Sequence, residues 1–104
     1  MKMRKAEYDI STAKGKEKVQ GLVTNNFGIH KSENNSYVVD HLKTGYMVCS
    51  FAYMSDAREF VDRAEKAVFP VPFDKYDPDK GIEQYKMNGD KVRELVNIVK
   101  GGRL

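Results

Sequence analysis

Two β-rich runs joined by a short turn constrain the fold of this chain most: YVVDHL and YMVCSFAY on either side of KTG, residues 37–53. Valine, tyrosine and phenylalanine favour strands, and Gly45 suits the left-handed position of a type I turn followed by a bulge. The sequence therefore predicts an antiparallel β-hairpin that is closed over residues 42–45. The expected register places Val39 opposite Cys49, His41 opposite Met47, and Leu42 opposite Gly45 and Tyr46.

The neighbouring segments predict an α+β domain. NFGIHK alternates apolar with small or polar residues, as a half-buried strand does, and residues 55–68 place apolar side chains along one stripe of a helix. We expect a three-stranded antiparallel sheet, a meander packed by helices, with a C-terminal helical segment. That last segment is expected to hold a short helix after Asp77 and, beyond an interruption at residues 88–90, a second helix.

The start of the chain is harder to assign. Residues 11–23 carry Val19, Leu22 and Val23 at helical spacing, although glycines within the segment disfavour a helix, so strand is the alternative. Within a single small domain of residues 1–104, we assign residues 1–10 to a flexible basic arm. We assign residues 11–68 to a helix, three strands and a helix, and residues 69–104 to an extended segment and the C-terminal helix.

Composition and charge exclude several classes of protein. The 104 residues carry a net charge of +3, and the first 20 residues, with six Lys or Arg and three Asp or Glu, account for all of it. One cysteine excludes an internal disulfide. No apolar stretch follows the basic start as a secretory signal requires, and no run approaches the roughly 20 apolar residues that cross a bilayer. We expect a soluble, cytoplasmic protein without membrane contact.

Cys49 and His41 are the candidate pair for nucleophilic chemistry. In the expected register they are diagonal neighbours on one face, with Cβ atoms about 7–8 Å apart. A nucleophile and its base need about 2.6–3.2 Å between heavy atoms. A cysteine in the middle of a strand is typical of a small buried hydrophobe, so core packing is favoured over a cysteine-dependent enzyme.

We expect no cofactor and no metal site. His30 and His41, with Asp40 or Glu33, lack the spacing of a zinc motif. The acidic residues 74–83 lack the glycine and glutamate that a calcium loop requires, and the common nucleotide-binding and hydrolase motifs do not occur. The sequence therefore predicts a protein without enzymatic activity.

A protein–protein surface is the favoured function. The hairpin face opposite its core side mixes apolar and polar residues, the prolines of FPVPF pre-extend that segment, and Ile98 lies off the apolar stripe of the last helix. The chain is expected to be a small binding or regulatory protein whose partner is another protein or, in a homo-oligomer, a second copy. The candidate binding residues are Asp40, Leu42, Tyr46, Val48, Phe69, Phe73 and Ile98.

Nucleic-acid binding is the alternative. If residues 11–23 are helical, residues 11–68 run α-β-β-β-α, and this order with its lysine-rich first segment resembles a double-stranded-RNA-binding domain. The resemblance implies basic side chains on phosphates, although the second helix starts with Asp56 and Glu59 where that family carries lysines. The candidate nucleic-acid-binding residues are Lys2, Arg4, Lys5, Lys14, Lys16 and Lys18.

Residues 37–67 also carry an H-x-x-T-G turn, formed by His41, Thr44 and Gly45, that leads into a capped helix. This unit resembles parts of small uncharacterised phage and mobile-element proteins. The resemblance implies a compact protein that binds a host or phage macromolecule.

Overall fold

The computed structural model describes residues 2–101, which form one antiparallel sheet and two α-helices. The strand order is β1-β2-β3-β4-β5, so the sheet is a meander, and both helices follow it in the chain. The α+β class is confirmed, with five strands where the sequence predicted three. Met1 and residues 102–104, the ends of the predicted domain, lie outside the described residues. The elements are β1 (Arg4–Thr12), β2 (Gly15–Val23), β3 (Phe27–Lys31), β4 (Tyr37–His41), β5 (Met47–Phe51), α1 (Met54–Lys66) and α2 (Gly81–Gly101), with 3-10 turns at Phe73–Lys75 and Pro78–Lys80.

The two additional strands replace the predicted arm and first helix. β1 and β2 pair along their whole length, from Arg4 opposite Val23 to Thr12 opposite Gly15. The helical interpretation of residues 11–23 is wrong because Val19 and Val23 share one strand face as readily as one helix stripe. Gly15, at φ +105°, closes the tight turn between the strands. The α-β-β-β-α order is therefore not present.

The β4–β5 hairpin matches the predicted register at one end only. Val39 lies opposite Cys49 as predicted, but a bulge after Val39 places Asp40 opposite Met47. The expected pairing of His41 with Met47 is wrong, since His41 N–H instead donates to Tyr46 O at 2.9 Å. Met47 is 62% exposed and not on the core side. A single extra residue on β5 accounts for the shift.

The helices cover one face of β3, β4 and β5. Phe27, Ile29, Val39 and Phe51 of the strands are buried there. Helix α1 adds the predicted stripe up to Ala64, but Val68 at the end of that stripe lies beyond the helix and is 88% exposed. The segment after α1 folds back over the same core. The buried core residues of α1, of this segment and of α2 are, in chain order, Ala57, Phe60, Val61, Ala64, Phe69, Phe73, Tyr76, Leu95 and Val99.

Helix α2 is continuous where the sequence predicted an interruption. Asn88 is fully buried, and its side chain accepts from Val71 N at 2.9 Å and donates to Val71 O and Tyr76 Oη, both at 2.7 Å. These tertiary bonds outweigh the local preference of asparagine for turns. Within residues 2–101, neither helix is both long and apolar enough to cross a membrane.

The β1–β2 hairpin lies across the other face of the sheet. β2 and β3 pair at only two positions, Leu22 with Ile29 and Val23 with Gly28. A Cβ on Gly21 would stand 1.9 Å from Ile29 O, so the absence of a side chain allows β2 to turn there. The Tyr8 ring then lies over Gly28, whose added Cβ would be 2.5 Å from it.

The far end of the hairpin is tied to the turn between β4 and β5. Ser11 N–H donates to Gly45 O at 2.8 Å, and its hydroxyl donates to Thr44 O at 2.9 Å. Gly45 has φ +76°, the left-handed geometry that the sequence predicted. The sheet is therefore curled, with its first hairpin against the face that the helices leave uncovered.

Candidate functional site

A buried polar cluster lies between the first hairpin and the sheet. Asp40 is 2% exposed, and its Oδ2 accepts from Tyr8 Oη at 2.8 Å and from His30 Nδ1 at 2.6 Å. Because a carboxylate can only accept, His30 carries its hydrogen on Nδ1. The two donors are themselves 3.4 Å apart. Residues from β1, β3 and β4 thus converge on one oxygen.

This cluster anchors β1. Burial raises the pKa of the Tyr8 hydroxyl, and the charge of Asp40 and their hydrogen bond raise it further. Tyr8 is therefore a permanent donor at neutral pH. Asp40, predicted to face a partner, is instead committed to internal contacts, and removing it would take away the acceptor that both part-buried donors share.

His41 lies on the opposite face of the sheet, inside an aromatic cage. Its Nε2 is 2.9 Å from Phe73 O and its Nδ1 is 3.0 Å from Thr44 Oγ1. The carbonyl can only accept, so Nε2 donates and Nδ1 accepts from the Thr44 hydroxyl. The rings of Phe73 and Tyr76 pack at 5.0 and 4.7 Å from the imidazole. Burial lowers the pKa of His41, although the bond to the Phe73 carbonyl opposes this.

The geometry of the candidate pair, Cys49 and His41, favours core packing over an activated nucleophile. Both ring nitrogens of His41 are already engaged, and Cys49 is partly buried. Burial raises the pKa of the Cys49 thiol, and nearby Lys100 lowers it by less. A catalytic thiol needs a lowered pKa. The arrangement is that of a thiol packed against the core.

The candidate metal ligands are separated. His30 faces the first hairpin while His41 faces the helices, and within residues 2–101 no three His, Cys, Asp or Glu side chains come close enough to hold an ion. The sheet itself therefore stands between the two histidines.

The predicted protein-binding residues are dispersed. Phe69 and Phe73 are 6% and 4% exposed and belong to the core, so neither aromatic ring of FPVPF is available to a partner. Leu42, Tyr46 and Val48 are half-buried, and the Tyr46 ring packs at a tilt against that of Tyr85. Ile98 is 45% exposed. One apolar side chain exposed to this extent does not by itself mark a binding surface.

Five of the six basic candidates lie at the two ends of the first hairpin, and the sixth lies between them. Lys2, Arg4 and Lys5 lie at one end, and Lys14 and Lys16 lie at its turn, about 20 Å away along the strand. Between them Lys18 Nζ approaches Asp9 at 3.3 Å and Glu7 at 3.8 Å. No continuous basic stripe results among these residues.

The outer edge of β1 is the feature that sequence reasoning missed. Ser11 N–H points away from β2, toward Gly45, and alternate residues of an antiparallel strand direct their backbone groups to the same side. The N–H and C=O groups of Lys5, Glu7 and Asp9 therefore point outward too. Within residues 2–101, these groups make no backbone hydrogen bond on that side. The alternation of Ala6, Tyr8 and Ile10 with polar residues was the available signal.

The other edge strand, β5, is less suited to a partner. It has five residues against nine in β1, it adjoins the bulge, and α2 packs beside it. Short strands and bulges are devices that protect an edge from added strands. β1 is long and regular, and it is held in place by its inner face.

No protein-family model, curated protein or solved structure matches this chain.

Proposed function

We propose that this protein is a non-enzymatic binding protein that recognises another polypeptide by adding it as a strand along β1. The observation that carries the proposal is the open backbone edge at Lys5, Glu7 and Asp9. In strand addition, main-chain hydrogen bonds supply affinity and alternate side chains supply specificity.

The anchoring of β1 supports this function. Tyr8 is bonded to Asp40 and Ser11 is bonded to the Thr44–Gly45 backbone, so the strand is ordered before any partner arrives. A preorganised edge reduces the entropy that binding must overcome. The positions of Cys49 and His41 in structural contacts support the absence of enzymatic activity.

The test uses two substitutions at Glu7 in the full chain. Glu7→Pro removes one outward N–H, and proline is tolerated on an edge strand whose N–H faces solvent. Glu7→Gln removes the charge but keeps the N–H. Affinity capture should recover the same partner with the unmodified chain and with Glu7→Gln, and lose it with Glu7→Pro. Equal capture by all three chains would contradict strand addition, provided circular dichroism shows that each is folded.

Nucleic-acid binding is tested in parallel. Fluorescence anisotropy of labelled duplex RNA, duplex DNA and single strands is measured at low and near-physiological salt. Binding through the basic groups should weaken steeply as salt rises and should fall on Lys14→Ala with Lys16→Ala. Because these groups are split between two ends of the hairpin, we expect no tight binding.

A further inference from the structure

The structure assigns the open edge of β1 a specific occupant: β1 of a second copy of this chain, antiparallel and centred on Ala6. The inference rests on the proposed function, because it uses the same edge. It commits to a symmetric dimer in which the two sheets continue into one. The side chains that would then face each other select the register of the two strands.

Three charged side chains accompany the open backbone groups. Lys5, Glu7 and Asp9 are exposed and share the solvent-facing side of β1, while Ala6, Tyr8 and Ile10 face inward. In an antiparallel pair, directly opposite residues have Cβ atoms about 4.5–5.5 Å apart, so opposite charges attract and like charges repel. The charge pattern therefore selects among possible registers.

Only one symmetric register over this stretch avoids every like-charge pair. A pair centred on Lys5 places Lys5 against its own copy, and one centred on Glu7 does the same for Glu7. Centring on Tyr8 places Glu7 opposite Asp9. Centring on Ala6 places Lys5 opposite Glu7 twice, once on each side of the axis, with the small Ala6 side chains meeting at the centre.

The backbone geometry agrees with this register. Lys5 and Glu7 both direct their N–H and C=O groups outward, so each facing pair can exchange two hydrogen bonds. The second strand would end before Ser11, whose outward N–H is already bonded to Gly45. Lys18 approaches Glu7 only at 3.8 Å, and Glu7 is 53% exposed, which leaves its carboxylate accessible.

The experiment exchanges the charges between two chains. Lys5→Glu alone and Glu7→Lys alone each replace both attractive pairs with repulsive ones, and each should weaken the dimer at least about tenfold. In an equimolar mixture, one chain carries only acidic and the other only basic groups at these positions. The mixture should therefore form a heterodimer about as tightly as the original chain forms its homodimer. Native mass spectrometry counts the three species, and sedimentation equilibrium gives the dissociation constants.

Glu7→Pro supplies a backbone control, since it should abolish the dimer both alone and together with Lys5→Glu, while circular dichroism shows that the fold is retained. A chain that stays monomeric at millimolar concentration overturns the inference. The inference is also overturned if neither charge substitution changes the dissociation constant of the dimer, or if the mixture forms no heterodimer. In each of those cases, capture of another partner that is lost with Glu7→Pro would still support the proposed function. Failure of the dimer and failure of the proposed function are therefore distinguishable.

Discussion

The two faces of the β3–β5 sheet are covered by different means. The helix face is a close-packed apolar and aromatic core, in which Phe27 contacts both Phe60 and Phe73 edge to face. The hairpin face is held at its centre by hydrogen bonds to one buried carboxylate, Asp40. Packing is non-directional, whereas hydrogen bonds require a set geometry. The first face therefore supplies bulk stability, and the second determines where β1 lies.

The two histidines show the same contrast. His41 is held by a carbonyl and a hydroxyl among aromatic rings, an environment that favours the neutral imidazole. His30 is held by a carboxylate. One residue type thus has a packing role on one face and an anchoring role on the other.

The largest effect is expected on the helix face. Phe60 is fully buried, so Phe60→Ala should lower the free energy of unfolding by about 4 kcal/mol through lost burial and a residual cavity. Urea unfolding measures this, with Val68→Ala, at a side chain 88% exposed, as a control that should change stability by less than about 0.5 kcal/mol. A loss below about 1 kcal/mol for Phe60→Ala would contradict the assignment of this face as the main core.

Asp40→Ala should have the next largest effect, about 3 kcal/mol, because Tyr8 and His30 would lose their shared acceptor. Hydrogen exchange should rise in β1 more than in α1, since the anchor of the hairpin is lost. Asp74→Ala, at an exposed carboxylate, is the matched control. Equal acceleration of hydrogen exchange in β1 and in α1 would show that the loss of Asp40 destabilises both faces of the sheet alike.

Acid should weaken the helix face through His41. Its pKa is lowered in the folded protein, so the unfolded chain binds the proton more readily. The contribution of neutral His41 to stability is complete above about pH 6.5, the pKa of histidine in the unfolded chain. It is lost as the pH falls from there toward the lower pKa that His41 has in the folded protein. The slope is at most about 1.4 kcal/mol per pH unit.

Urea unfolding between pH 5 and 8 measures this slope on His30→Gln, in which His41 is the remaining histidine. The ring resonances of His41 should not titrate near pH 6.5 in the folded protein. Stability that increases on acidification through this window would show that His41 is charged in the fold.

Tyr8→Phe should have the smallest effect, about 1 kcal/mol, because it removes one hydrogen bond while the ring stays over Gly28. Tyr37→Phe, at a half-buried ring on the helix side, is the comparison and should change stability by less. Thermal unfolding measures both. Equal changes would mean that the Tyr8 hydroxyl contributes no more than an ordinary tyrosine hydroxyl does.

Local patterns in the sequence determined the features that depend on interactions between near neighbours in the chain. The stripe of α1, the left-handed Gly45 and the pairing of Val39 with Cys49 all follow from spacing and turn chemistry over a few residues. They could be predicted because helix period, strand period and glycine freedom act between near neighbours.

Tertiary structure decided everything that depends on distant contacts. The bonds of Asn88 to Val71 and Tyr76 make α2 continuous, and the bulge in β5 opposite Asp40 moves Met47 off the core side. The pattern of residues 4–23 fits more than one local structure, and pairing between β1 and β2 with anchoring on Asp40 selects the hairpin. The open edge of β1 arises from that selection, because only a folded sheet has an edge.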